Sequence, residues 1–532
     1  QRVLASRGLE DLAAGYRNPD KNPDLPFLWR AMEWAKEGAV IALVMPARLF
    51  GRISGRGFEA WRAVLRSVEV TGLINGADLR WSAVWKDVKI PFCLFFARNR
   101  APGPDHRFYY AAPINEPEMN GCGRFRIDYD AAQPLSTARV EKQPWILKAL
   151  AFGTWLDVEL MEALSTAGGQ TLESFWAAWD RRGVKTGKGY DRSPQLTQKF
   201  VDFLGDLPVF APHSQTLLGE AQPKTYGEMF GRNSEGRSSA YWPKTKDLFQ
   251  PPLVVIPQSP GDQNSRPRAY ILDHPVAFSQ SYYGYSCAGH PQADTLAGLI
   301  YLLAHSTLFD YFCLMTSIRS GFDRQTFNKK EFDALPFPDV ADLSERDKAT
   351  IRSLTQRLQI DSVGPRADLN KFIFPLYGLN PDAVQVAEDT LFSAAAYRKA
   401  GRAALERTTV ETRKPFLDAL RSELEPYFDV CAEHAAVSEA AFQPADWRES
   451  WFFISVAREG HSVPVNPALM REAMDAANQR GCSRIMVHAP GKRGLLVGLL
   501  NQRRWWTITR ARLCAQHIIR ERLGSCGLPE HS

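Results

Sequence analysis

Trp85 and a set of arginines and lysines on glycine-bearing loops are the residues of this chain whose type and placement suit chemistry. Trp85 stands beside Trp81 in the connection Asn75–Lys89, between two apolar runs. A large ring in so short a connection has few ways of joining a core, so it is either a stacking surface for another planar group or a cap on the turn. Lys185 and Lys188 lie in the basic loop Arg181–Tyr190, which three glycines interrupt, and Arg319, Arg324, Lys329 and Lys330 follow a long apolar stretch. Glycine lets a backbone approach closely, and a guanidinium donates two parallel hydrogen bonds to a phosphate or a base edge. The competing reading of each charge is an ordinary solvated surface residue. Arg503-Arg504-Trp505-Trp506 offers three readings: charge and stacking against nucleic acid, docking of another subunit, or packing of the tryptophans.

Other chemistries find less support. Cys514, His517, Cys526 and His531 have ligand-like spacing, with Cys514 and His517 on one helix face. The second two lie in the tail and no further pair brackets a compact knuckle, so no metal is expected. Gly491-Lys492 is followed by Arg493 rather than Ser or Thr, which does not make a phosphate loop. No Gly-x-Ser-x-Gly elbow is present and the histidines are scattered, so a hydrolase has no support.

The elements that must position these residues begin with a helix at Pro26–Lys36, carrying Phe27, Ala31 and Trp34 on one face. A fully buried strand follows at Ala39–Pro46, then a helix with Phe58, Trp61 and Leu65 at helical spacing, and strands at Glu69–Ile74 and Ile90–Ala97. The connection holding Trp85 is too short for a crossover helix, which predicts that these last two strands pair antiparallel at the end of a doubly wound sheet. One more short strand is expected at Arg107–Pro113 and an exit helix at Leu147–Leu164.

Three blocks in this order, Asp24-Leu25-Pro26-Phe27-Leu28-Trp29-Arg30-Ala31, Val44-Met45-Pro46-Ala47-Arg48-Leu49-Phe50 and Val84-Trp85-Lys86-Asp87-Val88-Lys89-Ile90-Pro91, resemble the end of the catalytic domain of S-adenosylmethionine-dependent DNA adenine N6-methyltransferases. Further on, Leu296–Leu303 and Phe322–Pro338 resemble the target-recognition region of fused restriction-modification methylases and of the large methylases of phage defence. Asn370–Leu379 is similar to a segment that often follows it. The resemblance implies S-adenosylmethionine as cofactor, double-stranded DNA as partner, and a target adenine rotated out of the duplex with Trp85 as one of the rings that hold it. It also implies that Lys185, Lys188, Arg319, Arg324, Lys329 and Lys330 read or grip DNA. Further subunits of a defence system are possible partners.

Two family signatures are missing. Asn18-Pro19-Asp20 and Asn22-Pro23-Asp24 lack the second proline and the aromatic of the catalytic motif and read as turns, and no glycine-rich loop follows a first strand. Because the chain starts at Gln1 rather than Met, it is expected to be the C-terminal portion of a longer enzyme, with the cofactor residues unidentified here.

The rest of the chain divides by character. Residues 165–339 carry short apolar runs with many turns, with strands expected at Pro252–Ile256, Arg268–Leu272 and Ala277–Tyr282 and a helix at Thr295–Leu314. A helical stretch at 340–435 reads as a spacer in which Phe372, Phe374 and Tyr377 build a small core. Residues 436–532 read as a small domain with strands Trp451–Val456 and Ser483–His488, a helix Pro467–Gln479 and a basic helix Arg510–Arg522.

The fold class is therefore α/β: the C-terminal part of a doubly wound methyltransferase sheet (1–164) with an antiparallel end hairpin, a mixed α+β target-recognition domain, a helical spacer and a small α/β C-terminal domain. The chain has 532 residues, 45% hydrophobic and 23% charged, which excludes bulk disorder. It has no apolar run of membrane-spanning length, and its eight cysteines form no Cys-x-x-Cys pair, so a cytoplasmic protein with free thiols is expected. The net charge is +6, and Ala441–Ser532, with 13 Lys and Arg against seven Asp and Glu, carries the whole excess. The alternative to an enzyme is a non-catalytic DNA-binding specificity or scaffold subunit of a defence complex.

Overall fold

Val40–Pro46 (β1), Glu69–Asn75 (β2), Phe92–Arg98 (β3), Arg107–Ala111 (β4) and Gln133–Ser136 (β5) form a five-stranded sheet in the order β1-β3-β2-β4-β5. The computed structural model describes residues 1–532 apart from 20–21, 81, 86, 89, 128–131, 168, 194, 211–223, 260–267, 322–325, 396–401, 445–449, 462, 490–493 and 522–532. It divides into two compact units, one holding Gln1–Glu159 and Gln385–Ser532, the other Leu160–Ser320 and the chain onward to Val384. Residues 1–164 and 436–532 fall largely in the first unit and 165–339 in the second, while 340–435 is shared between them.

The expected antiparallel pairing of β2 with β3 is present, with Leu73 opposite Phe95. It is not an end hairpin, however, because β3 lies between β1 and β2, antiparallel to both, and β4 extends the sheet parallel to β2. The interior slot goes to the strand with the densest apolar run: Phe92, Cys93, Phe95 and Ala97 are all buried. Expected to be buried throughout, β1 instead takes an edge. Ile41 and Met45 face the core, while Val40 and Val44 are 69% and 54% exposed.

Helix α1 (Asp24–Trp34) packs on β1 through Leu25, Leu28, Trp29 and Met32, so the Phe27 and Trp34 stripe points outward. Helix α2 (Gly55–Ser67) buries the expected Phe58, Trp61 and Leu65, with Trp61 edge-on to Phe50 at 4.4 Å. The expected exit helix is two, α3 (Ile146–Phe152) and α4 (Trp155–Thr166). Buried Asp157 accepts the Thr154 backbone N–H at 2.6 Å and its hydroxyl at 3.0 Å, which caps a fresh start at the break. Gly153 is required there, since a Cβ would lie 2.2 Å from Asp157 Oδ2.

In the second unit β6 (Thr186–Lys188), β7 (Leu253–Pro257), β8 (Tyr270–Leu272) and β9 (Tyr282–Ser286) pair antiparallel in the order β8-β7-β9-β6. The strand expected at Ala277–Tyr282 begins only at Tyr282; Ala277 and Phe278 plug the core ahead of it. The expected helix 295–314 is broken at Ser306 into α5 (Ala293–His305) and α6 (Thr307–Thr316), with a bend of 66°. The Ser306 hydroxyl accepts the Phe309 N–H at 3.2 Å and restarts the helix. Both halves are buried in this unit, and no single helix among the described residues is long and apolar enough to cross a membrane. Gly298 lets α5 meet α7 (Glu345–Ile360) closely: a Cβ there would sit 2.7 Å from Ile351 Cγ2. Phe374 and Tyr377 are buried, and the Tyr377 hydroxyl donates to the Pro336 carbonyl at 2.9 Å, so packing accounts for both.

The chain then returns to the first unit with α8 (Val410–Asp429), β10 (Ala435–Glu439), β11 (Trp451–Arg458), α9 (Pro467–Arg480), β12 (Arg484–His488), β13 (Leu495–Leu500) and α10 (Ile508–Glu521). The antiparallel sheet runs β10-β11-β13-β12. Its fully buried inner strand β13 comes from the glycine-spaced run that sequence periodicity left unassigned. Phe416, Leu420 and Leu424 of α8 and Cys514 and Ile518 of α10 share a core over one face, while Met470 and Met474 of α9 cover the other.

Candidate functional site

The connection from β2 to β3 is built as two short 3-10 turns, Ala77–Leu79 and Ala83–Trp85. Its first turn is fixed from several sides. Asn75 donates to the Tyr110 hydroxyl at 3.1 Å and accepts the Ala77 N–H at 3.1 Å. The Asp78 carboxylate accepts the Asn115 N–H at 2.7 Å and an Arg504 guanidinium N–H at 2.8 Å. Arg504 also donates to the Asn115 carbonyl at 2.6 Å and to Gln502 Oε1 at 3.1 Å. An ion pair with side chains 3% and 1% exposed is held in low dielectric, where its geometry is costly to disturb.

The second turn carries Trp85. Its ring lies edge-on to Phe92 of β3, centroids 5.0 Å apart and planes at 65°, and the residue keeps 38% of its surface exposed. Trp85 thus covers the hairpin end and still presents indole surface outward. Asp87 follows with φ of 69°, a left-handed conformation that turns the chain back toward β3. Its neighbour Trp81 lies outside the described residues.

Of the basic candidates in the second unit, Lys188 on β6 is exposed, with its amine 6.0 Å from the Tyr283 ring centre. Lys185 is engaged internally, its ammonium donating to the Ala288 carbonyl and standing 4.6 Å over Trp179. Lys329 is tied to Asp333 at 2.6 Å and lies 4.9 Å over Tyr285, whose hydroxyl donates to the same carboxylate at 2.7 Å. Both therefore serve their own unit's packing. Arg319 and Lys330 are exposed, and Arg324 lies outside the described residues.

Sequence reading missed Lys244 and Trp242. Lys244 sits with φ of 67° and its ammonium 4.0 Å over the indole of Trp242, which is 58% exposed. Burial, then the charge of Lys188, holds the Lys244 ammonium below the usual lysine value. Exposed Lys188 and Trp242 with half-buried Lys244 bring two cations and an aromatic ring together, the combination that grips a nucleic-acid backbone and a base face. The run Tyr241-Trp242-Pro243-Lys244 was the available signal, aromatic and basic residues on a turn.

The C-terminal candidates are corrected. Arg504 is only 3% exposed and is consumed by Asp78 and Asn115, so it offers no phosphate contact. Arg503 is held by Glu406 at 3.1 Å, with its guanidinium 5.2 Å from the Phe392 ring centre. Trp506 packs against Phe416 and Phe452 and donates to the Leu500 carbonyl at 3.0 Å, which settles it as core. The turn after β13 points Arg504 and Trp506 inward. Cys514 is buried, its thiol pushed up to about 11 by burial, and Cys526 and His531 lie outside the described residues.

No protein-family model matches the chain, and no curated protein matches it. Among solved structures it is similar to the type IIG restriction endonuclease BpuSI, at 12% identity over 70% of this chain and 49% of that one, with a TM-score of 0.24. It is also similar to the type IIL restriction-modification enzyme MmeI in complex with DNA, at 11% identity over 70% and 49% of the two chains, with a TM-score of 0.33. The chain spans about half the length of these proteins. Similarity this low carries no argument about activity, so the functional reading rests on the residues themselves.

Proposed function

We propose that the chain is the C-terminal part of a DNA adenine N6-methyltransferase of the restriction-modification or phage-defence type, in which Trp85 stacks on a target adenine turned out of the duplex. The observation that carries this reading is the β2–β3 connection: Trp85 stands on a turn whose base is pinned by Asp78 and Arg504, partly seated on Phe92 and partly open. An extruded base loses its stacking partners at a cost of a few kcal/mol, and a braced indole offsets part of that cost.

S-adenosylmethionine would supply the methyl group. This sequence has no glycine-rich loop following a strand to hold it. Lys188, Lys244 and Trp242 are the residues of the second unit best suited to hold the duplex.

The test is methyl transfer by the full-length protein. Duplex DNA incubated with the protein and S-adenosylmethionine carrying a labelled methyl group should yield labelled N6-methyladenine at one sequence. Exchanging residues 165–339 for the counterpart from a relative should change that sequence and keep the reaction. DNA binding without any methyl transfer would favour a scaffold subunit.

A further inference from the structure

Beside Lys188, Lys244 and Trp242 in the second unit stands Gln280, an exposed glutamine whose side chain is braced. Asp191 and Trp242 form an antiparallel bridge, each N–H donating to the other's carbonyl at 3.1 Å, so their side chains share one face. The Lys244 ammonium lies over that indole and feels the charges of both Lys188 and Asp191. Asp191 Oδ1 accepts the Gln280 side-chain amide at 3.0 Å, together with the Ser193 N–H at 2.9 Å and hydroxyl at 2.8 Å. The Gln280 backbone is held as well, its N–H donating to the Tyr190 carbonyl at 2.8 Å and its carbonyl accepting the Gln258 side-chain amide.

A carboxylate only accepts hydrogen bonds, so Gln280 must offer it Nε2, and the orientation of the amide is fixed. What remains is one N–H and Oε1, and Oε1 has no hydrogen-bond partner among the described residues. A donor and an acceptor side by side match one base edge in the major groove, the N7 and N6 amino group of adenine. Guanine offers two acceptors there, and cytosine and thymine one polar group each. Ammoniums beside such an amide hold the phosphates that fix its register.

We propose that Gln280 reads a stacked adenine of the duplex from the major groove, with Asp191 as the positioning residue that sets its amide. The inference rests on the DNA reading of this unit and names a base which that reading leaves open.

The test is selection of duplexes from a random pool by the full-length protein and by Gln280→Ala, which removes an exposed side chain and should melt like the parent. The parent should enrich a sequence with one fixed adenine that the variant no longer requires, and the variant should bind the parental sequence about tenfold more weakly. Replacing that adenine by 7-deazaadenine, which lacks the N7 acceptor, should weaken the parent about fivefold and leave the variant unaffected. Asp191→Ala should lower discrimination at the same position, and Asp191→Asn, whose Oδ1 still accepts the amide, should restore it. Enrichment of no fixed adenine, equal discrimination by parent and Gln280→Ala, or an equal loss on every duplex, which marks a backbone contact, would each overturn the proposal. So would indifference of the parent to 7-deazaadenine. A protein that binds no duplex would sink the DNA reading itself, whereas a sequence selected identically by the variant sinks only this inference.

Discussion

Arg504 and Asp78 lie 426 residues apart in sequence and meet at 2.8 Å, both side chains almost wholly buried. The C-terminal turn after β13 thereby fixes the first turn of the connection that carries Trp85. A residue that looks like a surface cation in sequence is a fastener for the candidate base-holding loop.

Arg504→Ala should leave the Asp78 carboxylate buried without its partner and destabilise the first unit by about 3–5 kcal/mol. Denaturant unfolding measures it. Asp78→Asn combined with Arg504→Met should recover much of the loss, because the double variant buries no charge. Full stability in Arg504→Ala alone would show that the pair does no fastening.

Trp85→Ala in the full-length protein should reduce methyl transfer by the equivalent of about 1–3 kcal/mol of base stacking, with Trp85→Phe retaining most of the rate. Loss of the edge contact to Phe92 should cost about 0.5–1.5 kcal/mol in stability, so melting must be recorded beside the rate. Parental rates from a folded Trp85→Ala enzyme would remove this indole from the reaction.

Lys188→Ala with Lys244→Ala should weaken duplex binding and make its salt dependence shallower by about two counterions. The slope of log affinity against log salt is the measurement. Arg503→Ala, already held by Glu406, should leave that slope unchanged. The opposite pattern would move the DNA contact to the C-terminal part.

His305 gives the second unit a pH dependence. Its Nδ1–H donates to the Tyr301 carbonyl at 2.9 Å and its Nε2 accepts the Arg268 N–H at 3.2 Å, the pattern of a neutral ring. Burial, aided by the charges of Arg268 and Arg366, lowers its pKa to about 4. The unfolded chain takes up this proton near the ordinary histidine value, so between these limits the unfolded state binds more protons and stability falls as pH falls. Thermal unfolding from pH 7 to 5 should show the loss, up to about 3 kcal/mol over the whole window, and His305→Gln should flatten it. An equally steep fall in His305→Gln would assign it to other groups.

Local pattern made the pairing of β2 with β3 legible, because the connection length excludes a crossover. It could not show that β3 also pairs with β1, since strand neighbours are chosen by the whole sheet. The apolar periodicity runs unbroken through Ser306, and only the cap it forms with Phe309 ends one helix and begins the next. Trp85 was legible as an aromatic in a short turn. Burial of Arg504 was not, because its partners Asp78 and Asn115 are brought to it by tertiary structure alone. Trp242 and Lys244 escaped notice because a turn with φ of 67° at a lysine cannot be read from composition.

Val40–Pro46 has consequences for handling the chain as well as for its fold. The segment carries no charge and no proline before Pro46, and its outer flank has no strand partner among the described residues. Unpaired amides along an apolar, β-prone heptad are a template for a copy of themselves, and neither a lysine nor a bulge within it discourages the match. Concentrated solutions of this chain should therefore thicken slowly into β-rich assemblies, and a single lysine at Val44 should keep them clear.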